Sequence, residues 1–211
     1  MLLPRLHILT DTHLQQRHSH LALAEAAARA GRVLVQYREK QYDPNRHGPE
    51  LAALITRLDP ARNPVLVNDR VDLALEYGAA GVHVGKTDTP PAEARQSLPP
   101  GSIVGATVHN LAELEALNGL DIDYIGVGPV LGTRSKETGL PPLGFAGLAA
   151  LARQSPWPVI AIGSLLPAHV PALCDAGVYG LAVLSGFCCA DSPEHAAQEY
   201  LQALAAAGLE P

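Results

Sequence analysis

Short apolar runs rich in Val and Ile recur along the chain at 6–10, 33–39, 64–69, 81–85, 102–108, 124–130, 158–164 and 180–186. Runs of that length, set between Gly, Pro, Asn and Asp, read as strands buried on both faces. Ala- and Leu-rich segments at 21–31, 71–78, 111–119, 145–154 and 169–177 lie between them and carry a helical period. Gly31, Gly78, Gly119 and Gly177 stand where a left-handed residue would close a helix. The stretches from Gly78 to Gly85 and from Gly177 to Gly186 repeat one unit of helix end, turn and strand. Eight such units at a spacing of roughly 20 to 30 residues predict a (β/α)8 TIM barrel, one domain over 1–211. An open doubly wound sheet would place a Gly-rich turn after its first strand. Here that turn reads Thr10-Asp11-Thr12-His13, without G-x-G-x-x-G.

Composition narrows the picture. With 47% hydrophobic, 17% charged and 4% aromatic residues, Ala, Leu and Val must fill the core, which favours α/β layers. The net charge is -6 and no run of five basic residues occurs, so neither nucleic acid nor an anionic membrane is expected as principal partner. No apolar stretch approaches the ~18–20 residues that cross a bilayer, and the start of the chain lacks a signal pattern, so a cytoplasmic location is expected. Cys174, Cys188 and Cys189 are odd in number and lack metal-ligand spacing; they read as small buried or half-buried residues.

A barrel keeps its chemistry at the C-terminal ends of its strands. The second run ends in Gln36, Arg38 and Lys40, which a period of two puts on one face. An amide and two cations there suit a diphosphate, against the alternative of a solvated rim paired with carboxylates. The third run ends in Asn68-Asp69 and the fourth leads to Asp88, so two carboxylates rise from adjacent strands, as Mg²⁺ prefers when phosphate and water complete its shell. Helix capping competes for both: Asp69 precedes the segment from Val71, and Asp88 the one after Pro90. The sixth run enters a long polar loop, Leu131 to Leu143, expected to be mobile when empty and to close over substrate. Gly163-Ser164 and Ser185-Gly186 follow the seventh and eighth runs, where barrels most often hold a monophosphate. Two anion sites on one rim imply two phosphorylated ligands.

These residues resemble the thiamine phosphate synthase family and its sister branch, the thiazole tautomerases. The resemblance rests on Gln36-Tyr-Arg-Glu-Lys40, Asn68-Asp-Arg-Val-Asp72, Gly81-Val-His-Val-Gly85 with Asp88, and Asp123-Tyr-Ile-Gly-Val-Gly-Pro129 followed by Thr133-Arg-Ser-Lys136. It implies a transferase that joins hydroxymethylpyrimidine diphosphate to thiazole phosphate, giving thiamine phosphate and pyrophosphate. The diphosphate would meet Gln36, Arg38, Lys40, Asn68 and Lys136, with Mg²⁺ on Asp69 and Asp88. The thiazole phosphate would meet Thr133, Ser135, Gly163, Ser164, Leu184 and Ser185. Thr107, where the family usually has Ser, joins the catalytic and substrate-binding set. His109 falls where the tautomerase branch places its acid/base, although a plain helix-start residue accounts for it too. Lys86, Ser164 and Gly186 depart from the family's usual Gln, Gly and Ala. Alternatives are a tautomerase that aromatises a thiazole phosphate and a non-catalytic barrel that binds one; a homodimer is left open.

Overall fold

The computed structural model describes residues 2–132, 139 and 141–209. Strands and helices alternate: β1 (Leu6–Thr10), α1 (His20–Ala30), β2 (Leu34–Tyr37), α2 (Pro44–Arg57), β3 (Val65–Asn68), α3 (Val71–Tyr77), β4 (Gly81–Val84), α4 (Pro91–Ser97) and β5 (Ile103–Val108). They continue with α5 (Leu111–Ala116), β6 (Tyr124–Val127), α6 (Gly144–Gln154), β7 (Val159–Ile162), a 3-10 turn (Pro167–His169), α7 (Val170–Asp175), β8 (Gly180–Val183), α8 (Ser185–Cys188) and α9 (Pro193–Ala206). All eight strands are parallel, each paired with the next, and β8 returns to β1. The structure is the closed (β/α)8 barrel that the repeat predicts.

Every strand falls inside an expected run, but several runs outlast their strands. β2 pairs with its neighbours only as far as Tyr37, and β6, β7 and β8 stop at Val127, Ile162 and Val183. The reactive residues beyond them therefore sit in connections, where their backbones are freed from the ladder. Gly78, Gly119 and Gly177 adopt the left-handed conformation expected of them. Gly31 does not: its φ of 163° is extended, and what it spares is a clash, since a Cβ there would stand 2.7 Å from Leu201 Cδ1. The cysteines divide three ways. Cys188 is buried and Cys174 half-buried, but Cys189 is exposed, because α8 is so short that its last turn reaches the surface.

Two apolar layers follow from the strand alternation. Outward residues such as Ile8, Val35, Val67, Val104, Ile125 and Leu181 pack against the helices. Inward residues Leu9, Leu34, Leu66, Ile103, Tyr124, Ile160 and Ala182 fill the barrel. Tyr124 fits because its neighbours make room. A Cβ on Gly105 would come within 2.2 Å of the Tyr124 ring, and one on Gly126 within 2.9 Å of the His83 ring. His7 completes this layer, wholly buried, with its ring edge-on to Tyr124 at 4.9 Å and Nε2 3.1 Å from the Pro4 carbonyl.

Two measurements test this interior. Gly105→Ala should destabilise the fold by about 1–3 kcal/mol, as overpacking does, and chemical denaturation would read it. Unchanged stability would mean the ring has room to move. Burial, helped by the nearby His83 and opposed by the Pro4 carbonyl, lowers the His7 pKa to about 3. The unfolded chain takes up that proton near pH 6.5 and the folded chain only near 3, so this contribution to stability is lost as pH falls between the two. Thermal melting over that range should fall more steeply for the wild type than for His7→Gln; parallel curves would refute it.

Candidate active site

One pocket opens at the C-terminal ends of the strands, and nearly every residue of the expected site that is described lies on its wall. Gln36, Arg38, Lys40, Asn68, Asp69, Thr107, His109, Gly163, Ser164, Leu184 and Ser185 all line it. Asp88 sits just behind, its carboxylate accepting from the Gly85 N–H at 2.8 Å. Thr133, Ser135 and Lys136, with most of the loop expected to close over substrate, lie outside the described residues. The base of that loop is held where it rejoins the barrel: the N–H groups of Leu143 and Gly144 donate to the carbonyls of Pro129 and Val130 at 2.9 Å.

The floor is a hydrogen-bonded row. The Gln36 amide donates to the Tyr124 hydroxyl at 3.2 Å, that hydroxyl lies 2.9 Å from His83 Nδ1, and His83 Nε2 lies 2.9 Å from Thr107 Oγ1. Burial holds the Tyr124 hydroxyl far above its usual pKa, so it keeps its single proton. With that hydroxyl accepting from Gln36 and donating to Nδ1, the imidazole proton sits on Nε2 and faces Thr107. Thr107 then has its own proton to offer elsewhere. His83 and Tyr124 were not among the residues expected in the site. A signal for them exists in the period of two, which places Gly81 with His83 and Tyr124 with Gly126 on the inward face.

At the rim, each cation of β2 is already matched. Arg38 pairs with Asp11 and Lys40 with Asp69. Burial and the neighbouring Asp69 carboxyl push the Asp88 pKa up. Neither aspartate caps a helix: the N-cap positions of α3 and α4 are Arg70 and Pro90, and neither makes a side-chain cap bond. Asp69 instead adopts a left-handed φ of 67°, and its N–H donates to the His83 carbonyl at 2.8 Å, which ties the end of β3 to β4. Among the described residues, no three His, Cys, Asp or Glu side chains are grouped to hold a metal ion. A cation at the aspartate pair would need water and phosphate for the rest of its shell, as Mg²⁺ takes them.

His109 stands at the start of a helix and at the wall of the pocket: it precedes α5, whose N-cap is Asn110. Its Nδ1 and its backbone N–H both meet Glu113 Oε2, at 2.9 and 2.8 Å, and Lys86 pairs with the other oxygen at 3.3 Å. Burial would raise the Glu113 pKa, but these bonds outweigh it and hold the carboxyl below its usual value.

The thiamine monophosphate synthase family model matches residues 6–187 of this chain. The thiamine-phosphate synthase of Xanthobacter autotrophicus is 39% identical over 206 residues, covering 96% of each chain. That of Chloroflexus aurantiacus is 39% identical over 196 residues, covering 92% of this chain and 90% of the relative. A thiamine phosphate pyrophosphorylase structure from Pyrococcus furiosus aligns with a TM-score of 0.84 and 27% identity over 96% of both chains. A 3-hexulose-6-phosphate synthase, at 17% identity and a TM-score of 0.66, shares the fold alone. No described helix is long and apolar enough to cross a membrane. With the barrel closed, the motifs gathered on one wall, and the match running from β1 into α8, the chain belongs to the thiamine monophosphate synthase family.

Proposed function

We propose that this chain is a thiamine-phosphate synthase, joining hydroxymethylpyrimidine diphosphate to thiazole phosphate with release of pyrophosphate. The observation that carries the reading is the floor of the pocket next to the cations of β2. The Thr107 hydroxyl, at the end of the row that runs through Gln36, Tyr124 and His83, offers a donor, and the Gln36 amide oxygen offers an acceptor. That pair suits a ring nitrogen beside an exocyclic amino group, as in an aminopyrimidine. Arg38 and Lys40 stand at the rim of the same pocket, where the diphosphate of such a substrate would lie.

The chemistry asks little of the protein as a nucleophile. The aminopyrimidine pushes electrons toward its methylene carbon, the C–O bond breaks with its electron pair leaving on pyrophosphate, and the thiazole nitrogen lone pair forms the new C–N bond. What the chain must do is stabilise the departing charge and hold the two rings in line. Arg38, Lys40 and Lys136 supply fixed positive charge, and Asn68 orients the phosphates. Gly163, Ser164 and the first N–H groups of α8, which a helix leaves without an internal acceptor, would hold the thiazole phosphate. Asp69 and Asp88 would hold Mg²⁺: two carboxyls in contact, with Asp88 driven toward its protonated form by burial and then by Asp69, are a donor set that a divalent cation relieves. Bound there, the ion would add charge neutralisation for the leaving group.

A second reading, a thiazole tautomerase, draws on His109. Glu113 fixes its Nδ1, so the Nε2 edge is the one free to move a proton in the pocket. The retained Arg38, Lys40 and aspartate pair favour coupling, since a proton transfer has no use for a diphosphate clamp. The residues and the cytoplasmic setting both follow from the synthase reading, with two small phosphorylated molecules as partners.

Pyrophosphate release, assayed with both substrates and Mg²⁺, tests the proposal. Asp69→Ala or Asp88→Ala should reduce turnover by at least ~10²-fold, and full activity of both in chelator would remove the metal from the reaction. Lys136→Ala should impair coupling severely while His109→Ala costs less than about tenfold. Coupling that survives loss of Lys136, together with thiazole isomerisation abolished by loss of His109, would give the second reading instead.

A further inference from the structure

Glu39 lies between the two cations of the β2 end but turns the opposite way. It is absent from the pocket wall, and its side chain is 2% exposed. Its Oε1 accepts from the Gln41 N–H at 2.7 Å and faces His13 Nε2 at 3.0 Å. Its Oε2 accepts from the Thr12 hydroxyl at 2.9 Å and faces Nε2 of His20 at 3.3 Å and of His47 at 3.7 Å. His47 Nδ1 accepts from the Asp43 N–H at 2.9 Å, which puts the His47 proton on Nε2, toward Glu39. The partners come from four places: the turn after β1, the first residue of α1, the first turn of α2 and, with Gln41, the connection that carries Glu39 itself. Burial would raise the Glu39 pKa, but the bonds from Gln41, Thr12, His20 and His13 prevail and hold it at about 2.

The sheet cannot do this work for the residues on either side. The pairing of β2 with β1 and with β3 ends at Tyr37, so Arg38 and Lys40 leave the ladder before they reach the pocket. Asp11, which pairs with Arg38, belongs to the same turn as Thr12 and His13, and its Oδ1 accepts the His13 and Leu14 N–H groups. One buried carboxylate thus joins the segment bearing both cations to the segment bearing the partner of one of them.

Building on the synthase reading, we propose that Glu39 is a positioning residue, which touches no substrate but holds the backbone of 38–40 so that Arg38 and Lys40 meet a diphosphate at a fixed spacing. Glu39→Gln keeps the shape but puts an NH₂ group in place of one of the two oxygens, so either the Gln41 N–H on one side or the His47 Nε2–H on the other is left facing a donor. The misplacement should raise KM for the pyrimidine diphosphate at least about tenfold, since small displacements at a reacting centre are costly, and leave KM for the thiazole phosphate within about twofold. A variant that merely unfolded in part would lower the active fraction and move neither KM. Thr12→Val removes one of the bonds without touching the pocket, and should shift the same constant in the same direction by less, which keeps the test open if Glu39→Gln does not fold.

Calorimetry with inorganic pyrophosphate and Mg²⁺ reads the clamp without turnover: affinity should drop about tenfold in Glu39→Gln and recover in part in Glu39→Asp. Wild-type protein that binds pyrophosphate yet releases none from the two substrates would defeat the synthase reading alone. Folded Glu39→Gln and Thr12→Val proteins with wild-type pyrophosphate affinity and wild-type KM would overturn the role of Glu39, whatever the reaction is.

Discussion

Closing eight parallel strands leaves an interior that side chains must fill, and here its largest occupant is a tyrosine whose ring fits because Gly105 lies beside it without a side chain and Gly126 gives His83 the same room. Once that ring is inside, its hydroxyl must be satisfied, because a buried polar group without a partner is costly. Gln36 and His83 satisfy it, and His83 hands the polarity on to Thr107. The barrel interior is apolar apart from His7 at the level of Leu34, Leu66 and Ile103, and polar where Gln36, His83 and Thr107 reach the wall of the pocket. The pocket begins where that change occurs.

The rim is organised by charge and by backbone strain. Asp69 and Ser164 both adopt left-handed conformations without being glycine, at φ values of 67° and 51°, and both border the pocket. Such positions cost about 1–2 kcal/mol each, less for Asp, and are kept where neighbouring structure determines them. At Asp69 that determinant is visible: the ladder bond to the His83 carbonyl on one side and the Lys40 ammonium on the other. Ser164 holds a left-handed turn that glycine would adopt at less cost.

How far the sequence could be read depended on the range of the interaction. The strands, the barrel and the gathering of Gln36, Arg38, Lys40 and the aspartates at one end follow from period-two alternation, which is local. Run lengths overshot because apolar residues such as Val130 continue into the connections, where they are buried beyond the ends of the strands. Gly31 does end α1, but it read as a left-handed cap because glycine signals a left-handed turn more often than it signals a close approach of another helix. The surroundings of Glu39 were out of reach for a different reason. His13, His20 and His47 are separate, unremarkable residues along the chain, and only closure of the fold brings three imidazoles to one carboxylate.

The matched cations of the rim bear on what happens after the bond is made. Arg38 and Lys40 do not wait for a ligand as bare charges; Asp11 and Asp69 already occupy them. An anion that enters shares Arg38 with the tethered Asp11 carboxylate or displaces it, and an anion that forms there meets the same rival on its way out. A carboxylate held a bond's length away acts at a high effective concentration. It weakens the grip on substrate somewhat, and it weakens the grip on product equally. For a reaction whose leaving group is a free polyanion, that built-in competition is a means of clearing the site for the next turnover.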